Sequence, residues 1–215
     1  MTHSFDQAYW QQHWQQTHGE RPGSMAGSPP NPYLAQETLG LAPGTALDAG
    51  CGAGAEAIWL VSHGWQVTAA DISADALAQA ADRATADGPA ETIGWVEADL
   101  TAWEPDMRFD LVTTHYAHPT MPQLAFYQRI ADWVTPGGTL LIVGHLHTPE
   151  TTGHGHGHGH HPPAEATVTL ADITAGLDAA EWEIVTAEEH QRPVTGPGGQ
   201  TVTLHDVVVR ATRRP

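Results

Sequence analysis

The chain has 215 residues, 40% of them apolar, enough for one domain with a sizeable core. It carries 25 acidic residues against 8 basic ones, all arginine, for a formal charge of −17. Such a surface repels phosphate backbones and anionic lipid, so nucleic acid and membrane are excluded as expected partners and a small neutral or cationic ligand is favoured. Cys51 is the only cysteine, so no intrachain disulfide can form and a reducing compartment is the simple reading. The first residues lack the basic and apolar regions of a secretory signal, and no apolar run approaches the roughly 18 residues of a membrane span. The expectation is a cytoplasmic protein.

In chain order, residues 4–18 place Phe5, Tyr9, Trp10, His13 and Trp14 at spacings of three and four, which predicts a helix with an aromatic stripe. Residues 19–32 read as a loop and 32–39 as a short helix opened by Pro32. From Thr45 the pattern alternates between strands and helices. Strands are predicted over 45–49, 66–71, 92–98, 109–115 and 139–145, with helices over 53–63, 73–85 and 122–134 between them. Ser73 is a candidate cap for the second of these helices, with Asp75 in its first turn. A helix over 170–180, a strand over 182–188 and a strand over 201–211 then read as an antiparallel addition to the sheet edge. Strands alternating with helices imply βαβ units and a mostly parallel sheet. Residues 1–215 therefore read as one α/β domain, with residues 1–40 as a helical cap and 148–166 as an insertion.

The strongest chemical signal is Asp48-Ala49-Gly50-Cys51-Gly52-Ala53-Gly54, a strand end, a glycine turn and a helix start. Glycines permit a tight turn and close approach of a ligand, which in an open parallel sheet sits beyond the carboxyl ends of the strands. Gly50, Gly52 and Ala55 also satisfy the dinucleotide pattern G-x-G-x-x-A. Acidic residues separate the two readings. Asp48 would face a pyrophosphate unfavourably but an ammonium or sulfonium well. Asp71 and Asp99 end the second and third strands, and a carboxylate in the first of these places can accept ribose hydroxyls. Three acids at three strand ends suit a cationic nucleoside.

On these residues the chain resembles the class I S-adenosylmethionine-dependent methyltransferases. D-x-G-x-G-x-G stands as Asp48 to Gly54, the acid after the second strand as Asp71, and the acid after the third as Asp99. Phe109-Asp110-Leu111-Val112 and Pro136-Gly137-Gly138-Thr139-Leu140 match the fourth and fifth strand motifs. The resemblance implies a Rossmann-like three-layer sandwich whose seven-stranded sheet has an antiparallel last strand. It implies S-adenosylmethionine as cofactor, with Asp48 near its amino acid end, Asp71 on the ribose and Asp99 near the adenine amino group. Gly50, Cys51, Gly52, Gly54, Ile72 and Leu100 complete the expected cofactor set, Cys51 as a small residue packed beneath the ligand. The Trp10-x-x-x-Trp14 spacing is similar to that of the thiopurine and thiol methyltransferases, where a leading aromatic helix covers the cofactor. It is equally the buried stripe of a docking helix. The loop, helix and hairpin after the fifth strand resemble those of the tellurite-resistance methyltransferases.

The acceptor side is carried by Thr113-Thr114-His115-Tyr116-Ala117-His118-Pro119 at the end of the fourth strand. His115, His118 and Tyr116 are the candidate catalytic residues there, beside the reading in which they are structural. A thiolate or selenolate acceptor needs no base, a hydroxyl does, and a lysine base is excluded. The Asn-Pro-Pro-Tyr pattern of amino-group methylases is absent, which disfavours DNA bases as acceptors. The expected acceptor is a small molecule with a thiol, chalcogen or metalloid centre.

His145, His147, His154, His156, His158, His160 and His161 fall in one stretch. Alternating Gly and His is floppy and suits loose divalent metal binding more than a fixed site, so no metal ligands are assigned. Two rivals to the methyltransferase reading are an NAD-dependent oxidoreductase and a metal sensor whose working part is this tract.

Overall fold

The computed structural model describes residues 5–16, 27–87, 92–147, 166–195 and 201–215. The helices are α1 (Gln7–Gln16), α2 (Pro32–Thr38), α3 (Ala55–Ser62), α4 (Ala74–Asp87), α5 (Gln123–Ala131) and α6 (Leu170–Ala175). The strands are β1 (Thr45–Ala49), β2 (Gln66–Asp71), β3 (Ile93–Glu97), β4 (Phe109–His115), β5 (Val134–Leu146), β6 (Thr167–Val168), β7 (Trp182–Thr195) and β8 (Thr201–Arg213).

They form one sheet in the order β3-β2-β1-β4-β5-β8-β7, with the short β6 paired beside the end of β5. Neighbours are parallel except β8, which runs antiparallel to both β5 and β7. This is the expected mostly parallel sheet with an antiparallel last strand, extended by a two-residue strand.

The side-chain alternation of the central strands builds two cores, one on each face. Leu47, Val112, Leu140, Ile142, Val207 and Val209 pack against Phe126, Tyr127 and Ile130 of α5 and Ile173 of α6. Ala46, Leu111, Leu141, Val143 and Val208 pack against Tyr33 and Leu34 of α2, Ile58 and Leu60 of α3, and Leu77 of α4. The chain order reverses between β1 and β4, so their carboxyl ends flank the crevice where such sheets bind ligands.

Local chemistry explains the element ends. Asn31 caps α2, its Oδ1 accepting from the Tyr33 amide at 3.1 Å, with Pro32 as the first helical residue. Ser73 caps α4 through the Ala76 amide at 3.3 Å, as its sequence position predicts. Several boundaries differ from the sequence reading, β7 most of all, which runs on from 188 to Thr195. α3 starts at Ala55, because Gly54 sits in the left-handed region as its N-cap. β5 starts at Val134, pairs with Phe109, and bulges through Pro136-Gly137-Gly138 before pairing resumes at Thr139. α6 ends at Ala175, with Gly176 as its C-cap. The tract from 148 to 165 lies outside the described residues. Among the described residues no helix is long and apolar enough to cross a membrane.

Candidate active site

The glycine loop between β1 and α3 is built by backbone hydrogen bonds to its neighbour strand. The amides of Gly50 and Cys51 both donate to the Ala70 carbonyl, at 2.8 and 3.0 Å. Gly50, Gly52 and Gly54 hold φ of +80°, +50° and +73°, where side chains are disfavoured. A Cβ at Gly50 would overlap that of Ala117, and one at Gly52 would lie 2.9 Å from the Trp14 ring.

Asp71 ties this loop to the next unit. Its Oδ2 accepts from the Gly52 amide and its Oδ1 from the Ser73 amide, both at 2.9 Å. Burial still pushes its carboxyl above the usual range, against those bonds. Asp48 is in a harsher place. It is 1% exposed, and its Oδ2 has no hydrogen-bond partner among the described residues. Burial first, then Glu56 and Asp71, drive its carboxyl well above the usual range, while the Ala57 amide of α3 bonds to the carboxylate and opposes the shift. Burial and the same two aspartates also push the Cys51 thiol up, so it is not a poised nucleophile.

Asp99 does not join this pair. It is exposed at the end of β3, and its Oδ1 accepts from the amide and hydroxyl of Thr101, at 2.9 and 2.7 Å. Leu100 is buried beneath it, and the Ile72 carbonyl accepts from Gln7 of α1 at 3.4 Å. Trp14 of α1 is buried against Ala53 and Ala76, so α1 roofs the glycine loop. The Trp10 indole donates to the His118 carbonyl at 3.1 Å, which pins α1 to the segment after β4.

That segment holds the three candidate catalytic residues. His115 has its Nε2 sealed from solvent without a partner among the described residues, and burial lowers its pKa. Tyr116 adopts a left-handed φ of +56°, a strain that clusters at functional sites. Its hydroxyl donates to Asp206 Oδ1 at 2.8 Å and accepts from Arg192 Nη2 at 3.0 Å. Burial and Asp206 push the phenol up, so Tyr116 is no base at neutral pH. His118 stacks with Trp10 and with His145, ring centroids 6.5 and 5.4 Å apart, and His145 stacks on Tyr116 at 4.5 Å. Burial lowers His118 to about 4 and His145 to about 3, so both imidazoles are neutral at physiological pH.

Several residues of this region were not singled out from the sequence. Tyr33, Asn31, Arg192 and Asp206 come from α2, the residue before it, and the C-terminal hairpin, and converge on Tyr116. Asp206 is fully buried, accepting also from Tyr33 at 3.2 Å and Arg192 Nε at 2.7 Å. Burial and Asp206 raise the Tyr33 phenol to about 12. The one signal in the sequence is a charge that directly precedes the apolar run Val207-Val208-Val209 of β8, buried on both faces. Among the described residues no group of three or more metal-ligating side chains exists.

The family described as methyltransferase domain matches residues 46–138, the stretch holding the loop, Asp48, Asp71 and the β4 segment. A probable thiol methyltransferase of Arabidopsis thaliana is 30% identical over 117 residues, 52% of this chain and 52% of that protein. The chain spans about half or less of the length of the curated relatives it matches. A structure described as converting a disulfide bond into a thioacetal group during echinomycin biosynthesis superposes with a TM-score of 0.67 at 23% identity, over 97% of this chain and 92% of that one. Magnesium protoporphyrin IX methyltransferase from Synechocystis PCC 6803, solved with S-adenosylmethionine bound, gives 0.59 at 20% identity, over 94% and 79%. Residues 46–138 thus match the family described as methyltransferase domain, and the fold that carries them is shared with solved methyltransferases.

Proposed function

We propose that this chain transfers a methyl group from S-adenosylmethionine to a small molecule, at a thiol or another soft chalcogen centre. The observation that carries the cofactor half is Asp48, a buried carboxylate with an unpartnered oxygen beside a glycine loop. A buried charge without a partner is costly, and a cationic amino group is the chemistry that satisfies it. Asp71, held by the Gly52 and Ser73 amides, presents carboxylate lone pairs beside it, suited to ribose hydroxyls. Asp48, Asp71 and the glycine loop would hold the ligand, under Trp14.

When bound, the cofactor supplies a methyl group already activated by a positive sulfur. The chain's own task is then alignment and exclusion of water. Trp10, Trp14 and Phe5 close the site from the α1 side, and aromatic faces favour a sulfonium cation. His118, His145 and Tyr116 form a neutral, half-aromatic wall on the acceptor side. Such a wall suits a polarisable acceptor, and the thiol assignment of the Arabidopsis relative supports the same choice.

Calorimetry with S-adenosylhomocysteine tests the cofactor half. Methyl transfer onto a panel of thiols, selenite, tellurite, phenols and amines tests the acceptor half. Turnover confined to phenols or amines overturns the soft-acceptor reading.

A further inference from the structure

We propose that Gln123 is a positioning residue that fixes the proton of His118 on Nδ1, leaving Nε2 as a bare lone pair that takes the acceptor's proton. This rests on the methyltransferase reading above and deepens it at the acceptor.

Gln123 opens α5 and is buried. Its Nε2 donates to the Ala117 carbonyl at 2.9 Å. That contact uses the amide's N–H side. The carbonyl oxygen is what remains for His118, and Oε1 lies 3.3 Å from Nδ1. Opposite a carbonyl oxygen an imidazole nitrogen must donate, so Nδ1 carries the hydrogen. A neutral ring has only one such hydrogen, which leaves Nε2 unprotonated. Nε2 has no hydrogen-bond partner among the described residues.

The ring cannot easily turn away. It lies against Phe5 at 5.6 Å, Trp10 and His145, and its own carbonyl is held by the Trp10 indole. The titratable group packed against it is His145 from β5, with Arg192 of β7 acting on His145. Burial keeps His118 neutral down to about pH 4. A base that weak removes a thiol proton only in concert with methyl transfer. The acceptor's S–H bond breaks and its proton passes to Nε2. The sulfur's electron pair forms the new S–C bond. The old bond from the methyl carbon to the sulfonium breaks, and its pair stays on that sulfur, now a neutral thioether.

The test uses the full chain, labelled with nitrogen-15 and saturated with S-adenosylhomocysteine. Long-range proton–nitrogen spectra at pH 7 are expected to show His118 protonated at Nδ1 and bare at Nε2. Protonation at Nε2, or at both nitrogens, overturns the proposal. Gln123→Leu is expected to lose that tautomer and about 10²-fold in kcat with a thiol acceptor. Its S-adenosylhomocysteine affinity should stay at the wild-type value. Gln123→Glu keeps an oxygen opposite Nδ1 and is expected to recover most of the rate, with the acid limb of the rate profile moved to higher pH. Unchanged kcat in Gln123→Leu, or equal losses in both variants, overturns the positioning role. Failure of the wild type to bind S-adenosylhomocysteine would count against the methyltransferase reading itself, while spectra of the unliganded chain would still decide the tautomer.

Discussion

Asp206 Oδ2 accepts from Arg192 Nε at 2.7 Å, and no part of the Asp206 side chain reaches solvent. The pair joins adjacent strands of the C-terminal hairpin, while Tyr33 and Tyr116 bind the same carboxylate from α2 and the end of β4. Removing the charge strands a partly buried guanidinium. Asp206→Asn is expected to lose about 3 kcal/mol of stability. The double variant Asp206→Asn/Arg192→Met should lose less than the sum of the two single changes. Urea denaturation of all four proteins closes the cycle, and strict additivity would contradict the coupling.

Under the proposed function, ligand binding at Asp48 is expected to release a proton. Its carboxyl is raised by burial, Glu56 and Asp71, and a bound ammonium would lower it again. Titration with S-adenosylhomocysteine in buffers of different ionisation enthalpy should reveal release of a fraction of a proton at neutral pH. Asp48→Asn should abolish that release and weaken binding about 10- to 100-fold, the worth of a hydrogen bond to a charged group.

Gly52 tolerates no side chain. Its φ is +50°, and a Cβ would meet the Trp14 ring at 2.9 Å. Gly52→Ala should lose at least about 1–2 kcal/mol from the backbone alone. It should also loosen α1, seen as faster amide exchange over residues 7–16.

Trp14→Ala should act more locally. The indole is buried against Ala53 and Ala76, and it packs a helix of only 10 residues onto the domain. Such a short helix is not stable undocked. Exchange in α1 is expected to rise by an order of magnitude or more, roughly 1.4 kcal/mol per decade, while β1, β4 and β5 keep their protection. Equal loss of protection in the sheet would show that α1 is integral to the core.

The buried histidines set an acid limit. His118 and His145 have folded pKa values of about 4 and about 3, below the 6.5 of an exposed imidazole. Between those values and 6.5 the unfolded chain binds more protons, so their contribution to stability is present above pH 6.5 and is lost as pH falls. The raised carboxyls of Asp48 and Asp71 act in the opposite sense, favouring the folded state as pH falls toward 3.8. Replacing His118 by Phe isolates its share. The wild type should lose stability relative to His118→Phe as pH drops from 6.5 to 4, by up to about 3 kcal/mol.

The strand-and-helix alternation from β1 to β5 was legible because each element is long enough to show its period. Caps such as Ser73 were legible because their chemistry is local. β6 was not, because two residues have no periodicity and exist as a strand only through pairing with His145 and Leu146. The glycine loop and Asp48 and Asp71 were visible as a motif, and they do meet in space. The bond of Asp99 to the amide and hydroxyl of Thr101 in its own turn was not legible, because it depends on the local turn geometry. The Asp206 cluster joins residues as far apart as Tyr33 and Asp206, and the Gln123–His118 pair depends on where α5 docks. Neither leaves a trace in local spacing.

Asp48 keeps one carboxylate oxygen without a protein partner among the described residues, inside the core beside the glycine loop. A partner that neutralises it is, thermodynamically, the last piece of the interior to be put in place. On the proposed reading, heat resistance should climb steadily as S-adenosylhomocysteine is added, so that the protein's durability gauges how much of that ligand surrounds it.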